Sequence, residues 1–198
     1  MKLLMLDRDG VINQDSEQFI KSPAEWKPIK GSIEAIARLT QAGWRIVVAT
    51  NQSGIARGLL DMSMLNAIHD AMHKAVVQAG GRIEAVFFCP HTADSNCECR
   101  KPLPGMLQEI ERRMNLSIAG MPFVGDSLRD LQAATAAGAR PVLVLTGKGA
   151  KTREAGGLPE GTEIFADLAA FAVAQLSDQR AEHRGERHID TRAEPRTA

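Results

Sequence analysis

Five side chains suited to phosphoryl chemistry follow short apolar runs: Asp7 and Asp9 in LDRDG, Thr50 in VVATNQSG and Asp126 in FVGDS stand at or just past them, and Lys101 in CECRKP follows another run across a longer loop. A carboxylate can attack phosphorus directly, and the aspartyl-phosphate it forms splits one hard displacement into two easier ones. That role suits Asp7. Asp9, two residues on, can protonate the departing oxygen and later take a proton from the attacking water. Thr50 and Lys101 would bring a hydroxyl donor and a positive charge to the phosphoryl oxygens, where negative charge gathers in the transition state. Asp7, Asp9 and Asp126 would repel one another unless a cation sat among them. Oxygen ligands with few protein neighbours suit Mg2+ completed by water and phosphate.

Each element alone is a weak signal. An Asp-x-Asp in a loop is usually turn chemistry, and VGDS ahead of a helix reads equally well as an N-cap made by Asp126 or Ser127. The order Asp, Thr, Lys, Asp at matching strand ends carries the catalytic reading.

A second cluster has a different chemistry. All three cysteines, Cys89, Cys97 and Cys99, lie beside His91 in CPHTADSNCECRKP, residues 89–102. Cys-x-His, five residues, then Cys-x-Cys offers four soft ligands in one loop, as a closed tetrahedral zinc site requires. The alternative is three buried thiols and an unrelated histidine, but the polar TADSN between them offers no apolar packing. No position is left for water, so the expected zinc is structural and would aim Arg100 and Lys101, the cations directly after the last ligand.

Short apolar runs alternating with amphipathic stretches predict the elements that must position these groups. The runs at 2–6, 44–49, 85–88, 122–124 and 141–145, with a weaker one at 163–165, read as strands. Helical patterns cover about 31–42, 62–78, 104–114, 129–137 and 167–176. The alternation predicts an α/β fold, a doubly wound, mostly parallel sheet with helices on both faces. Ligands of such sheets bind at the carboxyl ends of the strands, where these side chains are expected to converge. The loops at this edge are too short to hold a further domain, and Asp15 to Pro28 and the cysteine loop are the candidates to select the substrate.

The whole-chain properties narrow the partners. With 198 residues, 44% hydrophobic composition and formal net charge of zero, one soluble domain is expected, with no global field that would favour nucleic acid or a membrane. The apolar run in MKLLMLDRDG stops at Asp7, too soon for a signal peptide. An odd cysteine count argues against a disulfide framework. A cytoplasmic monomer is expected, with a core over 1–176 and a solvated, disordered tail over 177–198 whose composition is too polar to offset ordering entropy.

LDRDGVIN, VVATNQSGIARG, CECRKPLPGML and VGDSLRD resemble the four motifs of the haloacid dehalogenase superfamily of phosphatases, across about residues 1–147. The resemblance implies Asp7 as nucleophile, Asp9 as general acid/base, and Thr50 and Lys101 as phosphate stabilisers. It implies Mg2+ held by Asp7, the Asp9 carbonyl and Asp126, and a small phosphorylated sugar as substrate, met by Asp15, Ser16, Glu17, Gln18, Asn51, Gln52, Ser53 and Arg100. Many members carry a lysine directly after the last aspartate, where this chain has Ser127. Histidinol phosphate is a rival substrate. A phospho-accepting receiver module uses similar residues, but has no use for a base at Asp9. Arg57, His69 and His73 read as solvent-facing, and Met62, Met64 and Leu65 as core filler.

Overall fold

The computed structural model describes residues 2–189, with side chains through 178. In chain order the elements are β1 (Lys2–Leu6), α1 (Ser32–Gln41), β2 (Trp44–Asn51), α2 (Met62–Gln78), β3 (Ala85–Cys89), α3 (Gly105–Met114), β4 (Pro122–Gly125), α4 (Leu128–Ala136), β5 (Arg140–Val144), α5 (Gly149–Ala155), β6 (Glu163–Phe165) and α6 (Leu168–Ile189). The strands form one sheet in the order β3-β2-β1-β4-β5-β6, and every pairing is parallel. After β3 the chain returns to the far side of β1, which makes the β1–β4 boundary the switch point where such sheets bind ligands.

The alternation of side chains along a strand divides the core in two. Leu4 and Leu6 of β1, with Ile46 and Val48 of β2, join a cluster built by Ile36 and Leu39 of α1, Ile68 and Met72 of α2, and Leu168 and Phe171 of α6. Leu3, Met5, Val47 and Ala49 face the other way, onto Met106, Leu107 and Ile110 of α3 and Ala133 and Ala134 of α4. Burial on both faces explains why these strands read as unbroken apolar runs.

Most boundaries fall within a residue or two of those expected, and the departures are instructive. β2 continues through Thr50 and Asn51, so these two end the strand rather than follow it. α5 has no counterpart in the sequence reading, because GAKTREA is short and lacks an apolar stripe. On α2, Asp61 accepts from Met64 N at 2.7 Å as the N-cap, and the helical period then buries Leu65, Ile68, Met72 and Val76. Met62 and Met64 fall off that face, 43% and 38% exposed, so of the expected filler only Leu65 packs in the core. α6 runs on to Ile189, into the stretch where composition predicts a tail. A helix satisfies its own backbone without a core, and Ala, Gln, Arg and Glu favour it. The rest of that stretch, 190–198, lies outside the described residues.

Among the described residues no helix is long and apolar enough to cross a membrane. Leu107, fully buried under the sheet, gives a measure of the core. Leu107→Ala should cost about 2–5 kcal/mol, read as a lowered denaturation midpoint.

Candidate active site

Asp7 and Asp126 are each the first residue after a strand, β1 and β4, which are neighbours in the sheet. Asp7 N donates to Val124 O at 2.9 Å, so the pairing continues to the site itself. The chain then turns sharply through Gly10, whose φ of +83° suits glycine. A Cβ at Gly10 or at Gly147 would overlap Asp126 Oδ2. These two glycines form a cradle in which that carboxylate lies, its Oδ2 accepting from Lys148 N at 2.8 Å.

Lys101 reaches the same point from the cysteine loop and is 2% exposed. Its Nζ lies 2.8 Å from Ala49 O, 3.0 Å from Asp7 Oδ1 and 2.6 Å from Asp130 Oδ1. All three ammonium hydrogens are thus engaged. Asn51 fixes the Lys101 backbone from both sides, its Nδ2 donating to Lys101 O at 3.0 Å and its Oδ1 accepting from Lys101 N at 3.1 Å. Asp130 is a site residue the sequence reading missed. It is 1% exposed, and its Oδ2 accepts from Ser127 N at 3.0 Å and Ser127 Oγ at 2.5 Å. Its spacing after Ser127, S-x-x-D, was the available signal. Ser127 is the N-cap residue of α4, which leaves Asp126 to face the cleft.

Asp9 is gripped rather than free. Arg8 Nε and Nη2 donate to its Oδ1 at 3.1 and 3.0 Å, and Nη2 to Oδ2 at 3.0 Å. Asn13 Nδ2 donates to Oδ1 at 2.8 Å and Gln52 Nε2 to Oδ2 at 2.9 Å. Burial alone would raise the Asp9 pKa, but the Arg8 charge and these hydrogen bonds bring it below the usual carboxylate range. Gln52 Nε2 also donates to Thr50 Oγ1 at 3.0 Å, which leaves the Thr50 hydroxyl hydrogen available to a ligand. Arg8 Nη1 lies 3.3 Å from His69 Nε2. His69 is therefore not on a solvated face: it is 7% exposed, drawn inward by a partner 61 residues away that no local pattern could reveal. Burial and the Arg8 charge push its pKa down to about 4, so the ring is neutral. His73 is partly exposed and Arg57 exposed.

The cleft enclosed by these groups has a volume of about 230 Å3 and is lined by Asp7, Asp9, Thr50, Lys101 and Asp126 together with Asp15, Ser16, Glu17, Asn51, Gln52, Ser53 and Arg100. Of the residues expected at the substrate, Gln18 alone does not line it; exposed, it faces an adjoining depression with Lys21 and Glu25. Phe19, Ile20, Arg129 and Lys148 line the cleft in addition. Lys148, after β5 in TGKG, pairs with Asp15 at 2.6 Å. A larger cavity of about 760 Å3 adjoins it, sharing Asp15, Glu17 and Lys148.

In the cysteine loop, Cys89 Sγ is 3.6 Å from both His91 Nδ1 and Cys97 Sγ, and Cys99 Sγ is 3.4 Å from His91 Nδ1. Metal bonds of about 2.1–2.3 Å in a tetrahedron give ligand separations of roughly 3.4–3.8 Å, so the four donors fit one ion. Contrary to expectation the thiols do have apolar packing: Cys89 is buried, and Cys97 and Cys99 lie against the α3 side of the core. The contacts come from across the fold, not from the loop's own polar residues. Arg100 Nη1 donates to His91 O at 3.0 Å, tying that cation to the cluster.

Residues 98–171 match the HAD-hydrolase-like family model. The chain is 61% identical over 178 residues to the D-glycero-beta-D-manno-heptose-1,7-bisphosphate 7-phosphatase of Bordetella bronchiseptica, covering 90% of this chain and 99% of the relative. The chain belongs to that phosphatase family. The member from Pseudomonas aeruginosa is 55% identical over 174 residues, with 88% and 97% covered. The crystal structure of the D,D-heptose 1,7-bisphosphate phosphatase from B. bronchiseptica, complexed with magnesium and phosphate, superposes with a TM-score of 0.89 over 90% of this chain and 99% of that one, at 61% identity. The Burkholderia thailandensis structure gives 0.72 over 89% and 99%, at 55% identity.

In this member of the phosphatase family the electrostatics call for a cation. Asp7, Asp126 and Asp130 bring carboxylate oxygens within 4.8 Å of one another, and Asp130 is already paired with Lys101. Burial, offset by Lys101 and reinforced by Asp130 and Asp9, raises Asp7 to about 7. Burial and the charges of Asp7 and Asp130 raise Asp126 to about 8. A hard divalent cation between Asp7 and Asp126 fits this donor set.

A carboxyl whose folded pKa lies above its unfolded value binds its proton more tightly in the folded chain. Its contribution to stability is complete below the unfolded value near 3.8 and is lost as the pH rises through about 7 for Asp7 and about 8 for Asp126. Metal-free protein should therefore melt at progressively lower temperature from about pH 5 to about pH 8. Mg2+ should restore more stability at the upper pH than at the lower, and melting curves with chelator and with Mg2+ check both statements.

Proposed function

We propose that this chain removes the 7-phosphate of D-glycero-β-D-manno-heptose 1,7-bisphosphate through an aspartyl-phosphate on Asp7, on the route to ADP-heptose for lipopolysaccharide cores. The observation that carries the mechanism is the placing of Asp7. Its Oδ1 accepts from Arg8 N at 2.7 Å and pairs with Lys101 Nζ, while Oδ2 has no hydrogen-bond partner among the described residues and is left to attack.

In the first half-reaction Asp7 Oδ2 bonds to phosphorus as the bond from phosphorus to the sugar oxygen breaks, and Asp9 gives its proton to that oxygen. The arriving phosphate is an anion beside Asp9 and raises its proton affinity, which counters the hold of Arg8. In the second half a water oxygen bonds to phosphorus, the bond to Asp7 breaks, and the water proton passes to Asp9. Thr50 offers its free hydroxyl hydrogen to the phosphoryl oxygens. Lys101, its hydrogens already engaged, acts through charge. Asp7, the Asp9 carbonyl and Asp126 would hold Mg2+, which when bound offsets the negative charge of the carboxylates and the phosphoryl group. Asp15, Ser16, Glu17, Asn51, Gln52, Ser53 and Arg100, which line the cleft, would meet the sugar. Gln18, turned away, has the weakest claim.

Cys89, His91, Cys97 and Cys99 would hold a structural zinc, which when bound would fix the loop that carries Arg100 and Lys101. Cys97→Ser should release zinc and lower kcat by about a hundredfold, the scale of a 1 Å misplacement; metal analysis alongside the assay checks that the two losses go together.

Phosphate release from the heptose bisphosphate should exceed that from histidinol phosphate by about a hundredfold or more in kcat/KM, and the opposite ratio would overturn the substrate. Asp7→Asn should lower kcat by roughly 10⁵-fold or more in a folded protein.

A further inference from the structure

Arg8 stands between the two aspartates in sequence, yet its side chain does not line the cleft. It turns inward and is 0% exposed. A guanidinium removed from water is costly unless its donors are met. One edge meets Asp9, with the three contacts of 3.0–3.1 Å described above. The other edge, Nη1, has His69 Nε2 at 3.3 Å and no other acceptor among the described residues. Arginine has no acceptor atom and keeps its proton, so Nε2 must supply the lone pair and the ring proton sits on Nδ1.

His69 is held in turn by its place on α2, with its ring 6.2 Å from that of Phe88 on β3. A chain of contacts thus runs from a helix packed on the sheet, through a guanidinium fork that sets the plane of a carboxylate, to the acid–base group. The same carboxylate shares Gln52 Nε2 with Thr50, so its orientation and that of the phosphate-facing hydroxyl are fixed together.

We propose that Arg8 and His69 form a buried positioning pair for Asp9, with His69 the acceptor that locks the guanidinium; this rests on the acid–base role given to Asp9 above. His69 touches neither substrate nor cation. Its contribution is to keep one donor of Arg8 satisfied, without which the guanidinium must rotate or draw in water, and Asp9 moves with it.

His69→Leu and His69→Gln separate positioning from packing. Leucine fills apolar space better, whereas glutamine carries a carbonyl oxygen that can accept from Nη1. With heptose 1,7-bisphosphate and saturating Mg2+, His69→Leu should lower kcat by about tenfold, part of the 10²–10⁴ that general acid–base catalysis contributes, with KM within about twofold of wild type. His69→Gln should recover most of the loss even where its melting temperature is the lower of the two. Should the leucine variant not fold, His69→Met takes its place in the same comparison. An apolar variant that matches or exceeds His69→Gln in kcat overturns the positioning pair. Wild-type protein that releases no phosphate from this substrate counts instead against the function proposed above.

Discussion

Too much negative charge in too little space is the constraint around which this molecule is arranged. Asp7, Asp9, Asp126 and Asp130 meet at one edge of the sheet, and the buried cations set against them are Arg8 and Lys101. Arg8 is committed to Asp9 and Lys101 is shared between Asp7 and Asp130, so Asp7 and Asp126 keep an unmet charge that burial drives toward protonation. A divalent cation removes that penalty, and an incoming phosphoryl group then meets a site whose charge is nearly balanced. Strain of this kind is tolerable only where the surrounding fold leaves the carboxylates no room to separate. The glycine cradle at Asp126 and the N-terminal turn of α4 at Asp130 supply that confinement.

The supporting structure follows from this need. Asp7 and Asp126 can be neighbours because β1 and β4 pair at the switch point. Lys101, by contrast, belongs to no regular element. It is delivered by the loop after β3, which hydrogen bonds from Asn51 and the thiol–imidazole cluster hold in place. A lysine on an untethered loop would lose rotamer and backbone freedom on meeting its carboxylates, and the ion pair would be correspondingly weaker. Fixing the loop beforehand removes much of that cost from the step in which charge develops.

Much of the site was legible because strand ends are legible. Apolar runs locate the strands, their carboxyl ends form one edge, and Asp7, Asp9, Thr50 and Asp126 stand there. Lys101 and the cluster of Cys89, His91, Cys97 and Cys99 were legible from spacing within one loop. What stayed hidden depends on contacts between elements distant in sequence. Asp130 looks like ordinary helix capping until Lys101 arrives opposite it. Lys148 is a lone lysine between glycines until α5 and the β5 loop place it over Asp15. His69 shows only as a polar residue on an amphipathic helix, since Arg8, its partner, lies 61 residues away. The cysteines do come together with His91 as their spacing suggests, although their apolar surroundings come from α3, which a reading confined to the loop does not include.

The adjacency of β1 and β4 also bears on how the molecule comes into being. Asp7 leaves the chain near its beginning and Asp126 after four strands have been made, so the pair exists only once that long-range parallel pairing has closed. Contacts of such sequence separation form slowly, because loop closure must precede any gain from them. On the ribosome the emerging amino-terminal half therefore carries Asp7 without Asp126 beside it. The two carboxylates become neighbours in the same event that completes the centre of the sheet.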